Sequence, residues 1–285
     1  MLWEELRQDE FLDAVKTSNG VCILPIGCVE AHGIHMPLAC DVMHAYHHAK
    51  LASEKEPVVV FPPLYFGEKS GAGEYPGTII FPEILIHQIL EQCCKEIHRN
   101  GFKKILILNG HGGNMNMLNN FARSTLQTKT GYMVFVYNAN LTTSDPIQII
   151  KNRDRFTFLT EEDFAILQDY VDKNKKDGHG GFVETGWLLD ARPDLVRVDL
   201  MKEKSGESTH LWDGFSQRKI YSPFGWMANF PNSLTCTYHE GLNERIARAM
   251  TELIVDAVAD VFKFLKTETV SDKYYEVWAA KNPLI

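Results

Sequence analysis

The stretch "PEILIHQILEQCCKEIHRNGFKKILILNG", residues 82–110, decides the fold. Its first twenty residues carry apolar side chains at helical spacing, open on Pro82 and stop at Gly101, a proline start and glycine stop typical of a helix. "KKILILNG" follows at once and reads as a strand that is apolar on both faces. The same rhythm extends outward from it. Upstream lie a strand "VCILPIG" (21–27), a helix "DVMHAYHHAKLASEK" (41–55) and a second strand "PVVVFPPLYFG" (57–67) closed by prolines. Downstream come a helix "NMNMLNNFARSTLQTK" (114–129) and a fourth strand "GYMVFVYNAN" (131–140). Strands buried on both faces and separated by helices predict a three-layer α/β/α sandwich around a mostly parallel sheet.

Beyond Asn140 the pattern is less regular. Helices are expected at "EEDFAILQDYVDK" (161–173), "FVETGWLLDARPD" (182–194) and "NERIARAMTELIVDAVADVFKFLK" (243–266). Residues 205–241 are rich in Gly, Ser, Pro and aromatics and read as long loops with a hairpin. Loops of that length inside a domain are usually functional. No repeat or linker interrupts the chain, which reads as one domain over residues 1–285.

The net charge is −8, so attraction to nucleic acid or an anionic membrane is not expected. The one basic cluster, "KNKK" at residues 173–176, reads as a solvated loop. Six cysteines without a CxxC spacing argue against a zinc ribbon, a thioredoxin-like site or a disulfide framework. The amphipathic N-terminus has no signal-peptide core, and no run approaches the ~20 apolar residues of a membrane span. A reduced, cytoplasmic protein is expected.

In an open α/β sheet, ligands bind where strands end. "GCVEAHGIHMPLACD" (27–41) leaves the first strand, and "NGHGGN" (109–114) leaves the third. Parallel strands deliver both to one edge, so Glu30, His32, His35, Asp41 and His111 can converge there. Carboxylates mixed with imidazoles suit Zn²⁺, Mn²⁺ or Fe²⁺. Simpler roles compete: Asp41 as a helix N-cap, His111 as a turn residue, and His44, His47 and His48 as surface or packing histidines. Gly112 and Gly113 make only a weak phosphate-loop signal. A third passage, "HGGFVETG" (179–186), sets His179 near Glu184, which is either a helix-dipole partner or a further ligand.

Taken together, these three passages resemble the creatininase (creatinine amidohydrolase) family. Its pattern runs G-x-x-E-x-H-G-x-H-L-P-L-x-x-D, then N-G-H-x-x-N, then H-A-G-x-x-E-T-S, in the same order and over about residues 21–266. The resemblance implies a hydrolase of amide-type C–N bonds in small cyclic amides or formamides, with two divalent metal ions per subunit. Zn²⁺ is the first expectation and Mn²⁺ or Fe²⁺ the alternatives. It further implies that Glu30 and His111 hold one metal, that His32 and Glu184 hold the other, that Asp41 bridges and that His179 is catalytic. A homohexamer is implied as well.

Several departures argue against creatinine itself as substrate. Gly113 replaces a glutamate, Phe182 and Gly186 replace motif residues, and no tryptophan stands between Trp3 and Trp187 to clamp a flat ring. Family alternatives are a hydrolase of cyclic keto-sugars and a maturation peptidase; from another class comes a binding protein that kept the fold. Residues 67–79 and the loop around Trp212, Phe224 and Trp226 are expected to shape the pocket.

Overall fold

The computed structural model describes residues 1–138, 146–173 and 176–282. Helix α1 (Phe11–Thr17) leads into strand β1 (Val21–Ile26), followed by α2 (Cys40–Lys55), β2 (Val59–Val60), α3 (Glu83–Arg99), β3 (Lys104–Asn109), α4 (Met115–Ser124) and β4 (Met133–Asn138). Helices α5 (Pro146–Lys151), α6 (Glu161–Asp172), α7 (Phe182–Ala191), α8 (Asp213–Gln217), α9 (Phe224–Asn229), α10 (Glu244–Thr267) and α11 (Val270–Lys281) complete the chain. The sheet order is β2–β1–β3–β4, with every neighbouring pair parallel.

Alternation along the strands divides two cores. Val21 and Ile23 of β1 and Leu106 and Leu108 of β3 pack with α2, α7 and α10. Cys22, Leu24, Ile26, Ile105 and Ile107 pack on the other face with α1, α3 and α4. This is the expected three-layer sandwich: side chains of a strand point alternately to either face, and both faces are covered. Helix α10 starts from Asn243, whose side chain accepts from the backbone N–H of Arg245 and Ile246. It buries Ile246, Met250, Ile254, Val258 and Phe262 along one stripe, each contributing roughly 1.5–3 kcal/mol by leaving water.

Register places the site. Ile26 pairs with Asn109, and Asn109 pairs with Asn138, so three strands end in one row. The segments leaving β1 and β3 therefore emerge side by side.

The structure corrects three expectations. The second strand shrinks to Val59–Val60, because Pro62 and Pro63 have no N–H for the ladder; Phe61 and Leu64 still donate to Ile23 and Pro25. Among the described residues, 205–241 contain two short helices and no hairpin. Helix α11, unforeseen, is anchored by the buried Lys104, whose Nζ lies 3.2 Å from Asp272 Oδ2 in its first turn and also donates to the carbonyls of Leu265 and Glu268 and to the Glu268 carboxylate at 2.6 Å. The end of the expected fourth strand, residues 139–140, and part of the basic cluster, residues 174–175, lie outside the described residues.

Candidate metal centre

Two glycines let the site form. A Cβ on Gly27 would lie 2.3 Å from the backbone N of Val42, and one on Gly110 2.3 Å from the carbonyl O of Asp41. The first turn of α2 is thus wedged between the ends of β1 and β3, an approach open only to residues without a side chain. Asp41 sits inside that turn, behind the N-cap Ala39, and caps nothing. The N-cap alternative for Asp41 is therefore wrong. Its side chain turns to the seam between the strands.

There it faces two ways. Asp41 Oδ2 is 2.9 Å from His111 Nδ1, which is also 2.9 Å from Glu30 Oε1. Asp41 Oδ1 is 3.0 Å from His32 Nε2, which lies 3.7 Å from Glu184 Oε2. Glu184 occupies the first turn of α7, where its Oε2 accepts the Gly180 N–H at 2.6 Å. The dipole role and a place beside the cluster thus coincide in one carboxylate.

Burial would raise the pKa of these carboxylates, but the neighbouring imidazoles outweigh it. His111 and His179 hold Glu30 at about 2, and His32 and His111 hold Asp41 well below the usual range. Glu184 is lowered as well, chiefly by His32. Burial would lower the histidines, yet Asp41 and Glu184 raise His32, and Glu30 and Asp41 raise His111 to about 10. Three buried anions converging on imidazoles form a pocket built for positive charge. Its donors fall into overlapping groups, among them Glu30, Asp41 and His111, and Glu30, His32 and His179, whose ligand atoms lie within 4.8 Å of one another, a chemistry that fits a divalent cation.

His179 lies against this cluster. Its ring stacks on that of His32 with centroids 4.0 Å apart. Its Nε2–H donates to the Ala31 carbonyl at 2.8 Å, leaving Nδ1 3.9 Å from Glu30 Oε1. Burial and the nearby His32 lower its pKa, favouring the neutral ring. The backbone N–H of His179 donates to Thr235 Oγ1, and Ser233 Oγ donates to the same Ala31 carbonyl at 2.6 Å. A cavity of about 420 Å³, lined by His111, Gly112, His179, Glu184, Trp226 and Lys69, opens over the cluster.

The other histidines divide. His35 does not join the carboxylates; its Nε2 meets Thr185 Oγ1 at 3.0 Å. His44 and His48 are buried against Trp187, and His44 also reaches the cluster, with Nε2 4.0 Å from Asp41 Oδ1; His47 meets Asp190 at 3.2 Å. Burial holds the pKa of both His44 and His48 down.

Some participants were missed by the sequence reading. Cys28 Sγ lies 3.0 Å from Asp41 Oδ2. Lys69, within the expected pocket stretch 67–79, pairs with Glu30 Oε2 and lies 4.6 Å over the Trp226 ring. Trp226, in the aromatic loop expected to shape the pocket, stands edge-on to His179 at 5.2 Å. An aromatic wall is therefore present, supplied from after His179 and not before it. Asn109 and Asn114 brace the loop: Asn109 Oδ1 accepts from His111 N and Asn114 Nδ2, and Asn114 Oδ1 accepts from Glu68 N. The repeated Asn of "NGHGGN" was the available signal for that brace.

The family profile described as creatinine amidohydrolase matches residues 4–262. The chain belongs to the creatininase family. Members are metal-dependent amidohydrolases, and this chain is such an enzyme. It is 23% identical to the creatinine amidohydrolase of Pseudomonas putida over 270 residues, 90% of this chain and 96% of that one. It is 28% identical to the mycofactocin precursor peptide peptidase of Mycolicibacterium smegmatis (strain ATCC 700084 / mc(2)155) over 102 residues, 34% and 41% of the two chains. A crystal structure of creatininase superposes with a TM-score of 0.70 at 21% identity, covering 94% of this chain and 98% of that one. A manganese creatininase gives 0.71 at 21%, covering 94% and 99%. These likenesses establish the creatininase fold. Among the described residues no helix is long and apolar enough to cross a membrane.

Proposed function

We propose that this single-domain chain hydrolyses a small cyclic amide or formamide, other than creatinine, at a binuclear divalent-metal centre. The observation that carries the reading is Asp41, whose two oxygens face separate donor groups 2.9 Å and 3.0 Å away. Glu30 and His111 would hold one cation, His32 and Glu184 the other, with Asp41 between them. Zn²⁺ fits this donor set first, and Mn²⁺ or Fe²⁺ are alternatives. When bound, such a pair supplies Lewis acidity, polarising a carbonyl and lowering the pKa of water from 15.7 towards neutrality.

The residues supply the rest. The Ala31 carbonyl fixes His179 with its free Nδ1 towards the cluster, so that nitrogen takes a proton from the attacking water and returns it to the leaving nitrogen. Gly112 and Gly113 line the cavity, and their backbone N–H groups would serve as donors to a tetrahedral oxyanion there. Gly113 also bears on the substrate. A Cβ there would lie 2.4 Å from His111 Nε2, so the glutamate of creatininase has no room in this arrangement. A cytoplasmic homohexamer is proposed from the family resemblance.

Peptide hydrolysis is the second reading. It is favoured by an adjoining cavity of about 380 Å³ that shares Lys69, His111, Gly113 and Trp226 and would lengthen the substrate site. The test is elemental mass spectrometry of protein purified without chelator, followed by a substrate panel. Two metals per chain and turnover of cyclic amides or formamides support the first reading. Turnover of peptides alone selects the second, and protein that refuses Zn²⁺, Mn²⁺ and Fe²⁺ removes both.

A further inference from the structure

We propose that the Cys28 thiolate is a ligand of the cation assigned to Glu30, Asp41 and His111, making that half of the centre a mixed sulfur, oxygen and nitrogen site for Zn²⁺. This rests on the binuclear reading above. Cys28 is fully buried, yet it packs in neither apolar core, whereas Cys22 and Cys94 pack in one and Cys40 in the other. Its sulfur points instead at two carboxylates, 3.0 Å from Asp41 Oδ2 and 3.5 Å from Glu30 Oε1. The same two oxygens are each 2.9 Å from His111 Nδ1. One ligand-capable atom from each of the four residues lies within 4.8 Å of all the others.

Hydrogens do not suffice for these contacts. His111 Nδ1 carries at most one hydrogen and Cys28 Sγ one, yet each faces two carboxylate oxygens. Two of the four contacts therefore lack a proton. A cation at the centre takes all four as ligands at once, with the Cys28 thiol proton and the His111 Nδ1 proton passing to solvent as the thiolate and the ring nitrogen bind. Bonds of about 2.0–2.3 Å around tetrahedral Zn²⁺ put donor atoms roughly 3.3–3.6 Å apart. The spacings of 2.9, 2.9, 3.0 and 3.5 Å need only slight expansion to reach that. A thiolate also softens the site, favouring Zn²⁺ over Mn²⁺.

X-ray absorption at the zinc edge of the Zn²⁺-loaded full chain tests this, with Cys28→Ser and Cys40→Ser alongside. The expected wild-type spectrum contains a sulfur scatterer at about 2.3 Å. That shell should vanish in C28S and persist in C40S, and Co²⁺-loaded wild type should show a thiolate-to-cobalt absorption band that C28S lacks. Zinc bound through nitrogen and oxygen alone overturns the thiolate ligand while leaving the binuclear reading standing. A sulfur shell kept in C28S overturns it too. Protein that binds no metal overturns both. The wild-type and C40S spectra decide the matter even if C28S fails to fold.

Discussion

His179 donates its Nε2–H to the Ala31 carbonyl at 2.8 Å, and that one bond fixes which nitrogen faces the carboxylate cluster. A neutral imidazole has one donor and one acceptor nitrogen, so committing Nε2 to the backbone leaves Nδ1 free as the acceptor. His179→Ala should lower turnover by about 10²–10⁴-fold, the usual worth of a positioned proton-transfer group. Metal content should not change. Steady-state kinetics beside elemental mass spectrometry checks both, and normal turnover in the variant would end the assignment.

Glu30→Gln and His111→Ala should each lose metal and activity together. Glu30 is fully buried and lies 2.9 Å from His111, so either change removes a donor from the same group. Titration with Zn²⁺ followed by isothermal calorimetry reads the loss. Wild-type metal affinity in both variants would place the cation elsewhere.

Trp226 offers a flat wall 5.2 Å from the His179 ring. Trp226→Ala should raise KM by roughly two- to tenfold, corresponding to the roughly 0.5–1.5 kcal/mol of an aromatic contact. kcat should change less. A variant with unaltered KM for the best amide substrate would show that substrate does not touch this ring.

Gly110→Ala should cost about 1–3 kcal/mol in unfolding free energy through overpacking against the carbonyl of Asp41. The backbone contact of 2.3 Å cannot be relieved by moving a side chain, so α2 must shift and carry Asp41 with it. Urea unfolding, together with metal affinity, measures the two effects; Gly112→Ala, which meets nothing within 4 Å, is the control.

Glu268 sets an acid limb of stability. Burial would raise its pKa, but Lys104 and Ser271 hold it down from 4.5 to about 2. Because the folded value lies below the unfolded one, its contribution is present above pH 4.5 and lost as pH falls towards 2. Glu268→Gln should be destabilised near pH 7 and show a flatter loss of stability between pH 5 and 2. Thermal unfolding across that range checks the sign.

The order of strands and helices was legible in the sequence because burial on two faces leaves a local mark: "KKILILNG" is apolar at every inward position, and "PEILIHQILEQCCKEIHRNG" carries its stripe and its stops. The polar passages after β1 and β3 were legible for the same reason, since chain direction alone puts parallel strand ends on one edge. Ligand identities came from residue type and from resemblance, not from geometry.

Tertiary structure decided the rest. Nothing local separates His32, which faces Asp41, from His35, which faces Thr185; they stand three positions apart across the Gly33 turn, with φ of +65°. Cys28 stood only as one of six cysteines without a CxxC spacing, and Lys69 and Trp226 lie 39 and 196 positions from Glu30 in the chain. The sequence by itself determined the layers of this protein and where its polar loops emerge, because periodic burial is written locally. Which atoms meet depends on the wedge of α2 between Gly27 and Gly110, a contact between segments that no local pattern encodes.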